Sequence, residues 1–214
     1  MMEGEIYVIN LARRPDRWQH WTQQAKQWGF PAYKRFDAID GQNLTLTDDL
    51  KHLFRNNNFD NHLLTIGCAL SHFYLWMHQY EKQIPYLVVF EDDAIFTQPF
   101  RLPQLPDGWD LFYFGGAPYP NVKPPGIHYS KDIVIPKLFP QQSFTTVAYM
   151  ISLAGCAKIL KQINEKGIGK HIDRFLVDMH SEINVFCYSP LTVYFDINYS
   201  LGSDINRPFN SEEF

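Results

Sequence analysis

Cysteine is scarce in this chain: Cys68, Cys156 and Cys187 stand far apart in 214 residues. An odd number with no Cys-x-x-Cys pair and no Cys/His ligand spacing argues against a disulfide scaffold and a structural zinc site. It favours a reducing compartment, and a cytoplasmic location is the expectation. No uncharged apolar run approaches the ~18 residues that a membrane span needs. The first ten residues carry two acids and no basic stretch, so no secretory signal is expected there. A basic surplus is also missing: 19 Lys and Arg face 23 Asp and Glu, a net charge of −4, which argues against a general nucleic-acid binder. With 45% hydrophobic and 20% charged residues, wholesale disorder is excluded.

What the chain has in plenty is aromatic residues, at 16%. They suit a filled core and aromatic-lined pockets. At ~150 residues per domain the length predicts one domain over 1–214. Apolar runs alternate with helical patterns, which reads as α/β. Strands are expected at 6–11, 33–38, 85–90, 109–114, 144–153, 185–188 and 192–195. Helices are expected from Pro15 to a stop at Gly29, over 65–81 with Thr65 as N-cap, and over 154–165 and 172–182. In the helix over 65–81, Ala69, Phe73, Trp76, Met77 and Tyr80 are expected to share the buried face. Residues 42–62 read as loop with one short helix. The six prolines within 116–143 predict an irregular segment, and the last twenty residues read as a polar surface wrap.

Glu91-Asp92-Asp93 ends the apolar run Leu87-Val88-Val89-Phe90. In an open α/β sheet that edge is where ligands bind. Carboxylates there suit a hard cation such as Mg²⁺ or Mn²⁺. Strand alternation would point Glu91 and Asp93 together and Asp92 away. Three acids in a row arise by chance in about a quarter of shuffled chains of this composition, so position carries more than the triplet does. Arg13, Arg14 and Arg17 follow the first strand and suit phosphate oxygens; otherwise they form an exposed basic turn balanced by Asp16.

Gly67 in the first turn of a helix costs ~1 kcal/mol against Ala and implies close backbone approach. Cys68 and His72 share a helical face beside Ser71, either as polar contacts to a ligand or as small core residues. Their i, i+4 spacing does not imply an activated thiol. Asp173 and Asp178, five residues apart, are ~140° apart around a helix, so at most one faces a site. Trp109, Tyr113 and Gly115-Gly116 end a central strand, as a sugar platform or simply as core.

Several stretches, in order, resemble glycosyltransferase family 25, which includes lipooligosaccharide and collagen galactosyltransferases. They are IYVINLARRPDRW, FDAIDG, TIGCALSHFYLW, LVVFEDDAIF, TTVAYMISLAGCAKIL and IDRFLVD. The resemblance implies a GT-A-like α/β fold, a mixed central sheet flanked by helices. A nucleotide-sugar part would cover about 1–115 and an acceptor-side part about 116–214. It implies a UDP-sugar donor, galactose or glucose, a glycan hydroxyl acceptor, inversion, and a divalent metal, Mn²⁺ or Mg²⁺. Surface polysaccharide, lipooligosaccharide or glycoprotein glycan synthesis would be the setting. No nucleic acid is implied, and a lipid-linked acceptor would involve only peripheral membrane contact.

Carried over, Asn10, Leu11 and Arg17, with Arg13 and Arg14 by charge, would meet the nucleotide. Ala38 and Asp40 would lie near base or ribose, and Ser71 and His72 near diphosphate or sugar. Glu91 and Asp92 would join the donor site. Metal ligands would be Asp93 and Glu91, with Asp204 as the late acid where many GT-A enzymes use His, and Asn206 as a weaker substitute. Asp173, then Asp178, is the expected base. Two other readings stand beside this one: a metal-dependent nucleotidyltransferase and an inactive glycan- or partner-binding domain.

Overall fold

The computed structural model describes residues 3–137, 144–195 and 204. Strand β1 (Glu5–Asn10) leads into helix α1 (Pro15–Gln27), and strand β2 (Lys34–Asp37) follows. Next come α2 (Asp48–Leu53), α3 (Leu63–Lys82), β3 (Tyr86–Glu91) and β4 (Ala94–Phe96). Strands β5 (Leu111–Tyr113), β6 (Gly115–Ala117), β7 (Gly126–His128), β8 (Ile133–Pro136) and β9 (Ala148–Ser152) precede α4 (Leu153–Lys166). Helix α5 (Ile172–Asp178), β10 (Val185–Tyr188) and β11 (Val193–Phe195) complete the described elements.

Eight strands form a mixed sheet in the order β2-β1-β3-β9-β5-β10-β8-β7, and β4-β11-β6 form a small second sheet. The fold is α/β. Strands β2, β1 and β3 run parallel, while β9 lies antiparallel between β3 and β5. Continuous apolar runs mark strands covered on both faces. Leu87 and Val89 of β3 pack in one core with Ile66, Leu70 and Trp76 of α3 and Ile159 of α4. Val88 and Phe90 pack in the other with Trp21 of α1. Helices α1 and α3 therefore cover opposite faces, and the order 2-1-3 puts a topological switch beside β1 and β3. Ligands of open α/β sheets bind at such points, outside the carboxyl ends of the strands. The register aligns Asn10 with Asp37 and Ile9 with Glu91, so three strands end level there.

Several boundaries differ from the sequence expectation. Helix α3 starts two residues before Thr65; its N-cap is His62, whose ring nitrogen Nδ1 lies 3.0 Å from the Thr65 hydroxyl. Ala69 and Trp76 are buried as expected, Phe73 and Met77 are half-buried and Tyr80 is half exposed, while α3 also buries Ile66, Leu75 and Gln79. The proline-rich segment holds β6, β7 and β8, with Pro136 ending β8, where it leaves the ladder intact. Strand β4 is three residues long and too short to leave a period. Helix α5 gives way after Asp178 to a short 3₁₀ turn. Tyr113 is fully buried, which makes it core rather than platform, and Trp109 packs partly buried against the second core. Asn206, Pro140 and nearly all of the last twenty residues lie outside the described residues.

Gly67 shows why the helix lacks a side chain at that point. A Cβ there would meet the Ile39 carbonyl oxygen at 2.6 Å and the Gly41 nitrogen at 2.7 Å. Backbone presses on backbone, which fixes the loop after β2 against α3. Gly67→Ala is expected to lower stability by about 1–3 kcal/mol through overpacking. An open helix site would instead gain ~1 kcal/mol. The urea midpoint checks it, and an increase would contradict the contact.

Candidate functional site

At the carboxyl edge of β2, β1 and β3 lies an open cleft. Leu11, Arg13, Arg17, Ala38, Asp40, Ser71, His72, Glu91, Asp92, Asp93 and Asp204 line it. All were expected near a ligand from the sequence. Ile9, Ile39, Gly41, Leu64 and Cys68 also line it. Asn10 sits beneath, 1% exposed. Its side-chain amide donates to the Arg14 carbonyl at 3.1 Å and to Asp92 Oδ2 at 2.5 Å.

The acidic run keeps strand alternation through Asp92: Glu91 meets His72 of α3, and Asp92 lies on the α1 side with Val88 and Phe90. The chain then turns at Asp92-Asp93, and all three residues line the cleft. Asp92 is turned toward β1 and α1, where Arg17 Nη1 donates to its Oδ1 at 2.9 Å. The same nitrogen lies 3.6 Å from Asp93 Oδ2. Among the described residues, Asp93 Oδ1 is buried with no hydrogen-bond partner, and so is Asn10 Oδ1. Buried oxygens without donors are costly and suit a cation.

Glu91 has different neighbours. Its Oε1 lies 3.2 Å from His72 Nε2 and accepts from the Thr146 hydroxyl at 2.5 Å. His72 Nδ1 lies 3.0 Å from the Tyr149 hydroxyl, which accepts from the Trp76 indole at 3.0 Å. Cys68, His72 and Glu91 each offer a ligand atom within 4.8 Å of the others. Sequence reasoning missed Thr146, Tyr149 and Trp76. Their signal was topological: antiparallel pairing sets Tyr149 beside Val89.

The arginines are engaged. Arg13 pairs with Asp40 at 2.8 Å and with Asp204 Oδ1 at 2.5 Å. Arg14 lies outside the cleft lining and pairs with Asp16 at 2.8 Å and with Asp204 Oδ2 at 2.6 Å. Asp204, expected as a metal ligand, spends both oxygens on arginines. Ser71 donates to the Gly67 carbonyl and accepts from the Ile39 amide at 2.9 Å, so it ties α3 to the cleft wall.

Asp173, the expected base, is half-buried at the start of α5 and is not among the residues that line the cleft; its Oδ1 accepts from the Arg174 amide at 2.7 Å. Asp178 is exposed and paired with Lys170 at 2.6 Å, so the two aspartates part as their spacing requires.

Burial governs the titration here. It pushes the Asp93 carboxyl up to about 7 against the pull of Arg17, with repulsion from Glu91 and Asp92 adding to it. Asp92 and Asp173 are raised for the same first reason. Glu91 goes the other way: burial opposes its charge, but donors His72 and Thr146 and the charge of Arg17 outweigh it. Burial, then Glu91 and Asp173, keeps the Cys68 thiol protonated.

A cleft of mixed charge at the switch point defines a ligand-binding α/β domain. Residues 3–103 match the profile of glycosyltransferase family 25 (LPS biosynthesis protein), and the chain belongs to that family. It is 32% identical over 174 residues to the mouse (Mus musculus) protein called inactive glycosyltransferase 25 family member 3, covering 73% of this chain and 28% of that one. It is 28% identical over 212 residues to procollagen galactosyltransferase 1-A of Xenopus laevis, covering 88% of this chain and 33% of that one. The chain thus spans about a third or less of these relatives. Among solved structures, a fruit-fly β1,4-galactosyltransferase 7 mutant complex with manganese, UDP-Gal and xylobiose overlaps at TM-score 0.44 with 11% identity, over 99% of this chain and 78% of that one. An overlap of that size fixes neither fold nor ligand.

The raised Asp93 pKa sets a pH dependence. The folded state holds a proton that the unfolded state has released between about pH 3.8 and 7. Stability therefore falls as pH rises through that window, and the penalty is complete above about 7. Asp93→Asn is expected to be more stable than the wild type at pH 8, with the advantage fading toward pH 4. Urea midpoints at the two pH values check it; an equal advantage at both would contradict the assignment.

Proposed function

We propose that this chain is a metal-assisted hexosyltransferase of GT-A type. It moves galactose or glucose from a UDP-sugar to a hydroxyl of a glycan acceptor, with inversion. The observation that carries the reading is the pair of buried oxygens, Asp93 Oδ1 and Asn10 Oδ1, that have no hydrogen-bond partner among the described residues, in a cleft that also holds arginines. Charge supports it. Among the lining residues, Arg13 and Arg17 face Asp40, Glu91, Asp92, Asp93 and Asp204. A diphosphate would meet net repulsion there unless a cation came with it.

Asp93 and Glu91 would hold Mn²⁺ or Mg²⁺, with Asn10 Oδ1 beside them. When bound, the ion supplies positive charge to the leaving diphosphate. Arg17, and Arg13 once Asp204 yields it, would add charge from the other side. The loop holding Ala38 and Asp40 would meet the nucleoside. Asp173 would take the proton from the acceptor hydroxyl; its raised pKa suits a general base. Residues 1–115 would form the donor side and 116–214 the acceptor side. Three free cysteines suit a reducing, cytoplasmic setting. No described helix is long and apolar enough to cross a membrane, so a lipid-linked acceptor would be met by peripheral contact. Surface polysaccharide, lipooligosaccharide or glycoprotein glycan would be the product.

A second reading is binding without turnover, favoured by the word inactive in the mouse relative's name. Binding and slow hydrolysis of a nucleotide-sugar panel, with Mn²⁺ or EDTA, test both. One UDP-sugar is expected to bind only with metal, and Asp93→Ala to weaken it at least ~10-fold. Released pyrophosphate would point to nucleotidyl transfer, and no binding at all would overturn the proposal. Asp173→Asn is expected to keep donor binding and lower turnover ~10²–10⁴-fold. Unchanged turnover would remove Asp173 as the base.

A further inference from the structure

Donor and acceptor capacities settle an ambiguity in the His72 ring. An indole N–H can only donate. Trp76 Nε1 therefore occupies the Tyr149 oxygen as a donor at 3.0 Å. Tyr149 and Trp76 are both fully buried, and among the described residues the other polar partner of the Tyr149 hydroxyl is His72 Nδ1 at 3.0 Å. Were Nδ1 protonated, the phenol oxygen would receive two donors and its own hydrogen would be buried without an acceptor. Burial keeps the Tyr149 phenol protonated, so that hydrogen is always there to place.

We infer that Trp76 and Tyr149 are positioning residues that hold His72 as the Nε2–H tautomer, so that a one-way chain of hydrogen bonds ends on Glu91. The order is Trp76 to Tyr149 to His72 Nδ1, then His72 Nε2 to Glu91 Oε1. Two consequences follow. Nε2 carries a proton and has no lone pair, so the Cys68–His72–Glu91 cluster is not a metal site in this state. Glu91 Oε1 takes both His72 and Thr146, while among the described residues Oε2 takes no hydrogen bond, so Oε2 is the oxygen presented to a ligand. Only the identity of that ligand rests on the function proposed above.

The test uses the full chain labelled with ¹⁵N-histidine, free of metal at neutral pH. Long-range ¹H–¹⁵N correlation spectra distinguish protonated from unprotonated ring nitrogens, and His72→Gln identifies the His72 signals among the eight histidines. The wild type is expected to show Nε2 protonated and Nδ1 unprotonated. Tyr149→Phe removes the donor to Nδ1, and Trp76→Phe removes the donor that commits the tyrosine oxygen. Each is expected to move both shifts toward the average of two tautomers, which a merely space-filling role would not do. A wild-type spectrum with Nδ1 protonated, or a folded Tyr149→Phe with unchanged shifts, overturns the inference. If Tyr149→Phe does not fold, the wild-type spectrum and Trp76→Phe decide. Mn²⁺ titration adds a second readout, with affinity expected to fall about 10-fold or more in Tyr149→Phe. A wild type that binds no Mn²⁺ would overturn the proposed function, while the tautomer pattern would still decide this inference.

Discussion

A guanidinium placed below a protein surface must be met by carboxylates, because an unpaired buried charge costs far more than a paired one. Arg17 imposes that condition on this fold. Its contact with Asp92 pulls the loop after β3 against α1 and β1, and Asn10 takes the second oxygen. The turn at Asp92-Asp93 follows from this, and with it the aim of the whole acidic run into the cleft. Asp93 then has one oxygen without a hydrogen-bond partner among the described residues. The unmet capacity of the site is a by-product of satisfying Arg17 and Asp92.

The cleft separates its acids by neighbourhood. Glu91 lies on the α3–β9 side, where donors stabilise its charge, and Asp93 on the α1 side, where burial opposes it. Two carboxyls two residues apart thus have opposite tendencies near neutral pH. A site with one fixed and one adaptable carboxylate can accept a cation without leaving a full, unrelieved negative cluster when the cation departs.

Local chemistry made much of this legible in the sequence. Apolar runs buried on both faces gave the strands their places, and Gly67 announced a close approach before its partner was known. The run Glu91-Asp92-Asp93 and the arginines after β1 declared the edge of the sheet. What was hidden depended on distance along the chain. Strand alternation placed Asp92 on the α1 side with Val88 and Phe90, but gave no sign that the turn after it brings Asp93 within reach of the same Arg17. Trp76, Tyr149 and Thr146 read as packing residues, since nothing local shows that β9 reverses direction to lie beside β3. Asp204 looked like a ligand because its arginine partners lie some 190 residues upstream.

Strand β9 has a consequence for where this chain can be cut. It hydrogen-bonds to β3 on one side and β5 on the other, so the middle of the sheet is supplied by the later half of the sequence. The stretch that carries the family signature, 3–103, omits it. A fragment ending there would leave Leu87-Val88-Val89-Phe90 as an open edge, apolar and uncharged, ready to pair with another copy of itself. The chain does not divide into two folding units there, and the half that looks most like a module in sequence is the half most prone to aggregate alone.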